Sequence, residues 1–220
     1  MRYTPDEIRN MKKTIITAHS GCENTKANSE EHILAAIASG AEMIEVDVRR
    51  EANGRLYLSH DEPENAAECV SLERMFALVE GEESLHMNLD VKTPGLLESV
   101  MALAGKFKLE GRIVFTGACN SDRALANRLG AEMWRSMWNG EYIPDGIFAN
   151  TQDKSPYLNV YYPMITEEYD KALREAGGLF SAWTVDTEEM LVHFLKMGIG
   201  NITTRKPVLA MKLRREIQGV

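Results

Sequence analysis

The chain has 220 residues, a net charge of −8 and no run of basic residues, which argues against broad binding to nucleic acid or to an anionic membrane surface. An anionic small-molecule substrate is still compatible with this charge, because a bound cation reverses the sign locally. No apolar stretch approaches the roughly 18 residues of a membrane span and the N-terminus lacks an apolar core, so we expect a cytoplasmic protein.

Strand and helix patterns alternate along the chain. The N-terminus is predicted to form a capped helix, with Thr4 as N-cap, Pro5 at the first helical position and Glu7 completing a capping box. Alternating apolar runs then predict strands over 14–19, 43–48, 86–91, 112–116, 132–136, 158–162, 179–184 and 201–203. Helical spacing predicts helices over 29–39, 71–79, 95–107, 121–129, 166–176, 187–197 and 207–217.

Glycine and proline punctuate this pattern. Helix ends are predicted at Gly40, Gly130, Gly177 and Gly198. Asn53-Gly54 predicts a hairpin turn, which would carry His60 back towards the strand ends. Segment 140–157 shows no clean helical period. The three cysteines, Cys22, Cys69 and Cys119, have no metal-ligand spacing and are expected to be reduced thiols.

Eight strands joined by crossover helices in about 220 residues predict an α/β protein of the (β/α)8 TIM-barrel type. We expect one domain over residues 1–220, with a short capping insertion after the second strand. A doubly wound open sheet is the alternative, but such sheets usually have fewer strands, and no glycine-rich phosphate loop follows the first strand here.

Polar side chains collect at the C-terminal ends of the first three strands. Side chains of the same parity share a strand face, so Glu45 and Asp47 point the same way, and Asp90 and Lys92 do so on the next strand. His19 ends the first strand on its polar side. Because chemistry in α/β folds lies at these strand ends, we expect the five side chains to form a site.

The chemistry of this set points to phosphate ester cleavage. Glu45, Asp47 and Asp90 would form an all-oxygen cluster, which cannot stay fully ionised without a cation and suits Mg²⁺ or Ca²⁺. His19 and His60 would be the general acid and base, one taking a proton from the attacking hydroxyl or water and the other protonating the leaving oxygen. Lys92 would supply fixed positive charge for the transition state.

The ordered pattern H-x-G, E-x-D, H-D and D-x-K resembles the glycerophosphodiester phosphodiesterase family. The family's opening motif is matched by His19-Ser20-Gly21 with Glu23-Asn24-Thr25. Its W-T-V-N segment is matched by Trp183-Thr184-Val185-Asp186, and the resemblance spans roughly residues 14–210. It implies a barrel hydrolase with one divalent cation held by Glu45, Asp47 and Asp90.

The resemblance also implies roles for the remaining residues. His19 and His60 would be the acid–base pair and Lys92 a phosphate ligand. Four positions are implied to bind substrate or phosphate: Lys92, Trp183, Glu23 and Ser20.

The chain departs from the family pattern at several places. The arginine that follows the first histidine, which normally helps to hold the phosphate, is Ser20, so binding should be weaker or rearranged. Arg49 and Arg50 are either surface charges or a replacement for it. Asp90 stands where the hydrolases usually have glutamate, and the late T-D-R/Y-P motif reads Thr203-Thr204-Arg205-Lys206-Pro207 without its aspartate. The segment after His60 is shorter than the family's capping insertion.

We therefore expect metal-dependent hydrolysis of a small-molecule glycerophosphodiester to an alcohol and glycerol phosphate. One alternative is a phosphodiesterase of the lysophospholipase D or sphingomyelinase D type, since an open cleft would admit a bulkier diester. Another is a barrel that binds phosphodiesters without efficient turnover. No nucleic acid and no membrane span are expected, and the sequence leaves the oligomeric state open.

Overall fold

The computed structural model describes residues 13–137 and 155–220. Its strands, in chain order, are β1 (Ile15–Ala18), β2 (Met43–Arg50), β3 (Leu56–Leu58), β4 (His86–Val91), β5 (Ile113–Gly117), β6 (Glu132–Met133), β7 (Arg135–Met137), β8 (Tyr157–Tyr161), β9 (Leu179–Trp183) and β10 (Asn201–Thr204). Its helices are α1 (Glu30–Ser39), α2 (Leu72–Val79), α3 (Leu97–Lys106), α4 (Arg123–Leu129), α5 (Glu167–Glu175), α6 (Glu188–Met197) and α7 (Pro207–Gln218).

The sheet is a nearly closed barrel of nine parallel strands within the described residues. The strand order is β6-β5-β4-β2-β1-β10-β9-β8-β7. Only Trp134 separates β6 from β7, and these two strands together fill the place of the single predicted strand 132–136. Because β6 pairs with β5 and β7 pairs with β8, this interrupted strand closes the barrel. The predicted (β/α)8 fold is confirmed, and the open sheet is excluded.

The two faces of each strand have different neighbours, as the alternation predicts. Ile44, Val46 and Val48 are fully buried in the apolar core between strands and helices. On the inner face, the base of the barrel is closed by a second apolar cluster, hereafter the base cluster, which consists of Met43, Val114, Trp134, Tyr157 and Leu179. Trp134 stacks on Tyr157 with ring centroids 4.3 Å apart.

Above the base cluster the barrel interior becomes polar. Thr17 Oγ1 donates to Asn201 Oδ1 at 2.7 Å, and Asn201 Nδ2 donates to Ser181 Oγ at 2.9 Å. Ser181 Oγ donates in turn to Asn159 Oδ1 at 2.9 Å. Across the barrel, Thr116 Oγ1 donates to Asn88 Oδ1 at 2.7 Å. These hydrogen bonds satisfy polar groups that would otherwise be costly to bury, and they form the floor of the site above.

The described helices begin and end within two residues of the predicted bounds. Ser29, Ser71, Thr166 and Thr187 cap the N-termini of α1, α2, α5 and α6 through their side chains. The predicted stops at Gly40, Gly130, Gly177 and Gly198 all adopt positive φ, a conformation that glycine reaches without strain.

The predicted hairpin is present at the end of the second strand. β3 pairs antiparallel with the end of β2, with Arg49 opposite Tyr57, across a turn that contains Gly54 at φ 91°. Ser59 N donates to Asp47 O at 3.1 Å, which brings His60 to the rim of the barrel. Because α2 begins at Leu72, the segment that follows His60 is a short cap.

Two sequence predictions fall outside the described residues: the N-terminal helix around Thr4, and most of segment 140–157. In the parts of the chain that are described, Cys22, Cys69 and Cys119 are free thiols. Within those same parts, no helix combines the length and the apolar character needed to cross a bilayer.

Candidate active site

A cavity of about 490 Å³ opens at the C-terminal ends of the strands. Parallel pairing places the ends of β1, β2, β4 and β10 on the same rim, with Asp47 opposite Asp90 and Ala18 opposite Thr204. The lining includes these acidic, cationic and aromatic side chains: His19, Glu45, Asp47, Arg49, His60, Asp90, Lys92, Trp183 and Arg205. The structure thus brings together the two histidines, the three carboxylates, Lys92 and Trp183 that the sequence singled out.

The three carboxylates form a compact cluster. One oxygen from each of Glu45, Asp47 and Asp90 lies within 4.8 Å of the other two. Glu45 and Asp47 are each only 4% exposed, so water screens their mutual repulsion poorly. Burial, followed by the charges of Asp47 and Asp90, raises the pKa of Glu45 well above its usual range. Burial likewise raises the pKa of Asp90.

Lys92 bridges two of the three carboxylates. Its Nζ lies 2.7 Å from Asp47 Oδ1 and 2.7 Å from Asp90 Oδ2. Burial alone would lower the pKa of Lys92, but the charges of Asp90 and Asp47 outweigh it and raise the pKa. Lys92 is therefore a firmly charged cation at the centre of the site.

Asp47 is fixed by a residue that sequence analysis did not select. Asn28 Nδ2 donates to Asp47 Oδ2 at 2.7 Å, and Asp47 N donates to Asn28 Oδ1 at 3.0 Å. Asn28 N donates in turn to Ser20 Oγ at 3.0 Å. The sequence carried little signal for this clamp, because Asn28 lies in the loop before α1, where turn chemistry alone explains an asparagine.

His19 lies between the carboxylate cluster and the end of β10. Its Nδ1 is 2.9 Å from Ser20 O, which can only accept, so Nδ1 carries the proton. Its Nε2 faces Glu45 Oε2 at 3.8 Å. Burial and the positive charge of Arg205 lower the pKa of His19 to about 4, while Asp47 and Asp186 act in the opposite direction.

His60 stands on the solvent side of the cavity. Its side chain is 67% exposed, and its Nδ1 lies 3.0 Å from Asp61 Oδ1. Arg49 donates to the carbonyl of His60 from Nε at 3.1 Å and from a terminal nitrogen at 2.8 Å. The hairpin arginine therefore supports the loop that carries His60.

Two of the three remaining predicted substrate ligands, Ser20 and Glu23, have protein partners. Ser20 is 3% exposed, and its backbone N donates to Glu45 Oε2 at 2.9 Å. Glu23 Oε1 accepts from Val208 N at 3.2 Å, at the start of α7. Neither residue belongs to the described lining of the cavity. Trp183 does, and its ring lies 5.6 Å from that of Tyr161.

Arg205 is the second residue that sequence analysis did not select for the site. It follows β10 and enters the lining because that strand pairs with β1. The available signal was its position one residue after the last strand, the place in a barrel where side chains reach the site.

Comparison with known proteins gives a consistent result. No protein-family model matches the chain. A glycerophosphodiester phosphodiesterase from Bacillus altitudinis is 25% identical over 244 residues, covering 93% of this chain and 100% of the relative. The chain is a relative of the glycerophosphodiester phosphodiesterases. A second one, from Caldanaerobacter subterraneus, is 20% identical over 241 residues, covering 93% of this chain and 99% of the relative. The resemblance to this family that the motifs predict is thus confirmed.

Solved structures share the fold of these phosphodiesterases. A glycerophosphodiester phosphodiesterase from Agrobacterium tumefaciens superposes with a TM-score of 0.74 at 17% identity, covering 92% of this chain and 99% of that one. A phosphodiesterase from Oleispira antarctica, solved in complex with the product sn-glycerol-3-phosphate, has a TM-score of 0.72 at 15% identity and covers 91% of this chain and 96% of that one. The barrel extends over nearly the whole length of each.

Proposed function

We propose that the protein is a metal-dependent phosphodiesterase that hydrolyses a glycerophosphodiester to an alcohol and glycerol phosphate. The observation that carries the proposal is a single cavity in which three carboxylates and Lys92 lie beside His19 and His60. The names of the two relatives and the product held by the Oleispira antarctica enzyme support the same reaction class.

Glu45, Asp47 and Asp90 fit a hard divalent cation. Their donor set is all oxygen, and Asp90 Oδ1 is buried with no hydrogen-bond partner among the described residues. Of the three carboxylates, Lys92 contacts only those of Asp47 and Asp90. It therefore does not compensate the charge of Glu45 at close range. We assign these carboxylates as ligands of Mg²⁺ or Ca²⁺, which when bound supplies positive charge to the phosphate oxygens.

The two histidines provide the proton transfers. One imidazole takes a proton from the attacking hydroxyl, either water or a neighbouring hydroxyl of the substrate, as the new P–O bond forms. The other gives a proton to the oxygen of the P–O bond that breaks. In both residues Nδ1 has a partner, Ser20 O or Asp61 Oδ1, which leaves Nε2 for this chemistry. Lys92 stabilises the negative charge that develops on the phosphoryl group.

The contacts of the residues implied by the family resemblance separate those that face the substrate from those that support the site. We assign Trp183 to the substrate wall, because it lines the cavity. Ser20 and Glu23, which the resemblance implies as substrate ligands, are assigned supporting roles in this proposal. Ser20 braces Asn28 and Glu45, and Glu23 holds the start of α7.

Hydrolysis of glycerophosphocholine tests the reaction. With Mg²⁺ or Ca²⁺ present, we expect turnover that falls at least 100-fold in His19→Ala and in His60→Ala, because acid–base groups contribute about 10²–10⁴-fold. His86→Ala is the matched control, since His86 begins β4 at the opposite end of the barrel. Full activity in both active-site variants would overturn the proposal, as would binding of the diester without any product.

The divalent cation is tested separately. Removing metal with EDTA should abolish turnover, and adding back Mg²⁺ or Ca²⁺ should restore it. Calorimetric titration of the metal-free protein should give one site per chain, and the heat should disappear in Glu45→Gln. Turnover that persists undiminished in EDTA would contradict the assigned metal dependence.

A bulkier phosphodiester is the second candidate substrate. The cap after His60 is short, and Tyr161, whose ring lies beside that of Trp183, is 37% exposed. Among the described residues, the short cap and the aromatic side chains beside the cavity favour a lysophospholipid. A panel that compares glycerophosphocholine with lysophosphatidylcholine separates the two by kcat/KM.

A further inference from the structure

We propose that Arg205 is the phosphate-binding arginine of this site, replacing the family arginine that is Ser20 here, and that Asp186 positions its guanidinium. This inference rests on the proposed phosphodiesterase function and specifies how this chain holds the substrate phosphate.

The strand register places Arg205 beside His19. β1 and β10 run parallel with Ala18 opposite Thr204, so His19 and Arg205 are the next residues on neighbouring strands. His19 N donates to Thr204 O at 2.8 Å, and the side chains of His19 and Arg205 both line the cavity. Arg205 therefore lies on the rim beside His19, the residue that precedes Ser20.

Asp186 holds this arginine at two points. Arg205 N donates to Asp186 Oδ1 at 2.7 Å, and a terminal guanidinium nitrogen donates to Asp186 Oδ2 at 2.9 Å. Thr204 Oγ1 adds a contact to Asp186 Oδ1 at 3.3 Å. A guanidinium has five N–H donors, so this arrangement fixes its direction and leaves donors for a phosphate.

The other cations of the cavity are more fully engaged. Three lysine and arginine side chains among the described residues line it: Arg49, Lys92 and Arg205. Lys92 is held at 2.7 Å by two carboxylates, and Arg49 donates twice to His60 O. Arg205 is 48% exposed, so a ligand in the cavity can reach it. This favours Arg205 over Arg49 as the replacement for the missing arginine.

Three departures from the family motifs agree with the replacement of the arginine at position 20 by Arg205. The arginine after the first histidine is Ser20, the asparagine of W-T-V-N is Asp186 and, with Pro207 aligned, the aspartate of T-D-x-P is Arg205. Formal charges of +1, 0 and −1 thus become 0, −1 and +1, and their sum stays zero. The cation has thus moved from the end of β1 to the end of β10, and the carboxylate from position 205 to position 186, after β9.

Steady-state kinetics and calorimetry with sn-glycerol-3-phosphate test the inference. Arg205→Ala should raise KM and weaken product binding at least 10-fold, while metal binding stays unchanged. Arg205→Lys should recover part of the lost affinity, because lysine keeps the positive charge but lacks the planar guanidinium that can donate two parallel hydrogen bonds to a phosphate. Arg74→Ala is the matched control: Arg74 pairs with Glu30 at 2.8 Å, is 52% exposed and lies outside the described lining of the cavity.

The variant Asp186→Asn tests whether Asp186 positions the guanidinium of Arg205 or has only a structural role. It should weaken product binding less than Arg205→Ala does and have no further effect in the Arg205→Ala background, because both changes act through one guanidinium. Tighter product binding in Asp186→Asn would overturn the positioning role.

The outcomes distinguish this inference from the proposed function. Wild-type turnover with unchanged KM and product binding in Arg205→Ala overturns the inference and leaves the function standing. Product binding that depends on Arg205 in a protein without turnover supports the inference and overturns the function. A wild-type protein that neither turns over substrate nor binds product overturns both.

Discussion

At the scale of single residues, the site depends on how Asp47 is held. The Asn28 side chain makes two hydrogen bonds to Asp47: it donates to the carboxylate and accepts from the backbone N–H. Asn28 adopts φ 56°, a left-handed conformation that asparagine tolerates better than most residues. One side chain thus satisfies a backbone requirement and orients the carboxylate that we propose as a metal ligand, and the two contributions can be separated by substitution.

Substitution of Asn28 is expected to weaken metal binding. Asn28→Gly removes the clamp but accommodates the positive φ, whereas Asn28→Ala removes the clamp and adds strain. Both should lower the affinity for Mg²⁺ or Ca²⁺ about 10-fold or more, as loss of a group that orients a ligand typically does. Asn28→Ala should also be about 1 kcal/mol less stable than Asn28→Gly. Calorimetric metal titration and urea unfolding measure the two effects, and wild-type metal affinity in Asn28→Gly would contradict the role.

At the scale of elements, glycines on two strand segments allow close packing inside the barrel. A Cβ at Gly117, which ends β5 at φ 84°, would overlap Asp90 Oδ1 and lie 2.6 Å from Val91 O. A Cβ at Gly200, just before β10, would lie 2.7 Å from Tyr157 Cε1 and 2.9 Å from Leu179 Cβ. The first glycine therefore makes room for the carboxylate of Asp90, and the second for the base cluster.

These two glycines predict separable effects. Gly117→Ala should displace Asp90 and reduce turnover more than 10-fold, because a shift of about 1 Å in a catalytic group is costly. Gly200→Ala should overpack the base cluster and lower the free energy of unfolding by about 1–3 kcal/mol. Gly81→Ala is the control for both, since its Cβ would meet nothing within 4 Å. If Gly200→Ala were as stable as Gly81→Ala, the base cluster would accommodate the added methyl group without cost and the prediction would be wrong.

At the scale of the whole molecule, the sequence predicted those parts of the site that follow from which residues share a strand face. Glu45, Asp47 and Asp90 could be placed together because two neighbouring strands and a period of two suffice. Arg205 was not selected, because its position beside His19 follows from the pairing of the last strand with the first and not from a pattern of residues near each other in the sequence. The break at Trp134 was not predicted either; the Trp134 ring stacks on Tyr157, which lies at the start of the adjacent strand β8.

A buried arginine connects α7 to the start of the first strand. Arg214 is 3% exposed and donates to Thr14 O at 2.8 Å, just before β1. The same guanidinium nitrogen lies 2.6 Å from Glu42 Oε1, and Glu42 Oε2 accepts from Ile16 N at 3.1 Å. The last helix is thereby tied to the first strand and to the residue before β2.

Loss of this tie is expected to destabilise the whole fold. Arg214→Ala removes a buried cation and leaves the carbonyl of Thr14 and the carboxylate of Glu42 without it, which should lower the free energy of unfolding by about 3 kcal/mol. Arg215→Ala is the matched control, because Arg215 is the exposed neighbour on the same helix and should change stability by less than about 0.5 kcal/mol. Urea unfolding followed by circular dichroism measures both. Equal midpoints for the two variants would show that α7 does not hold the barrel closed through Arg214.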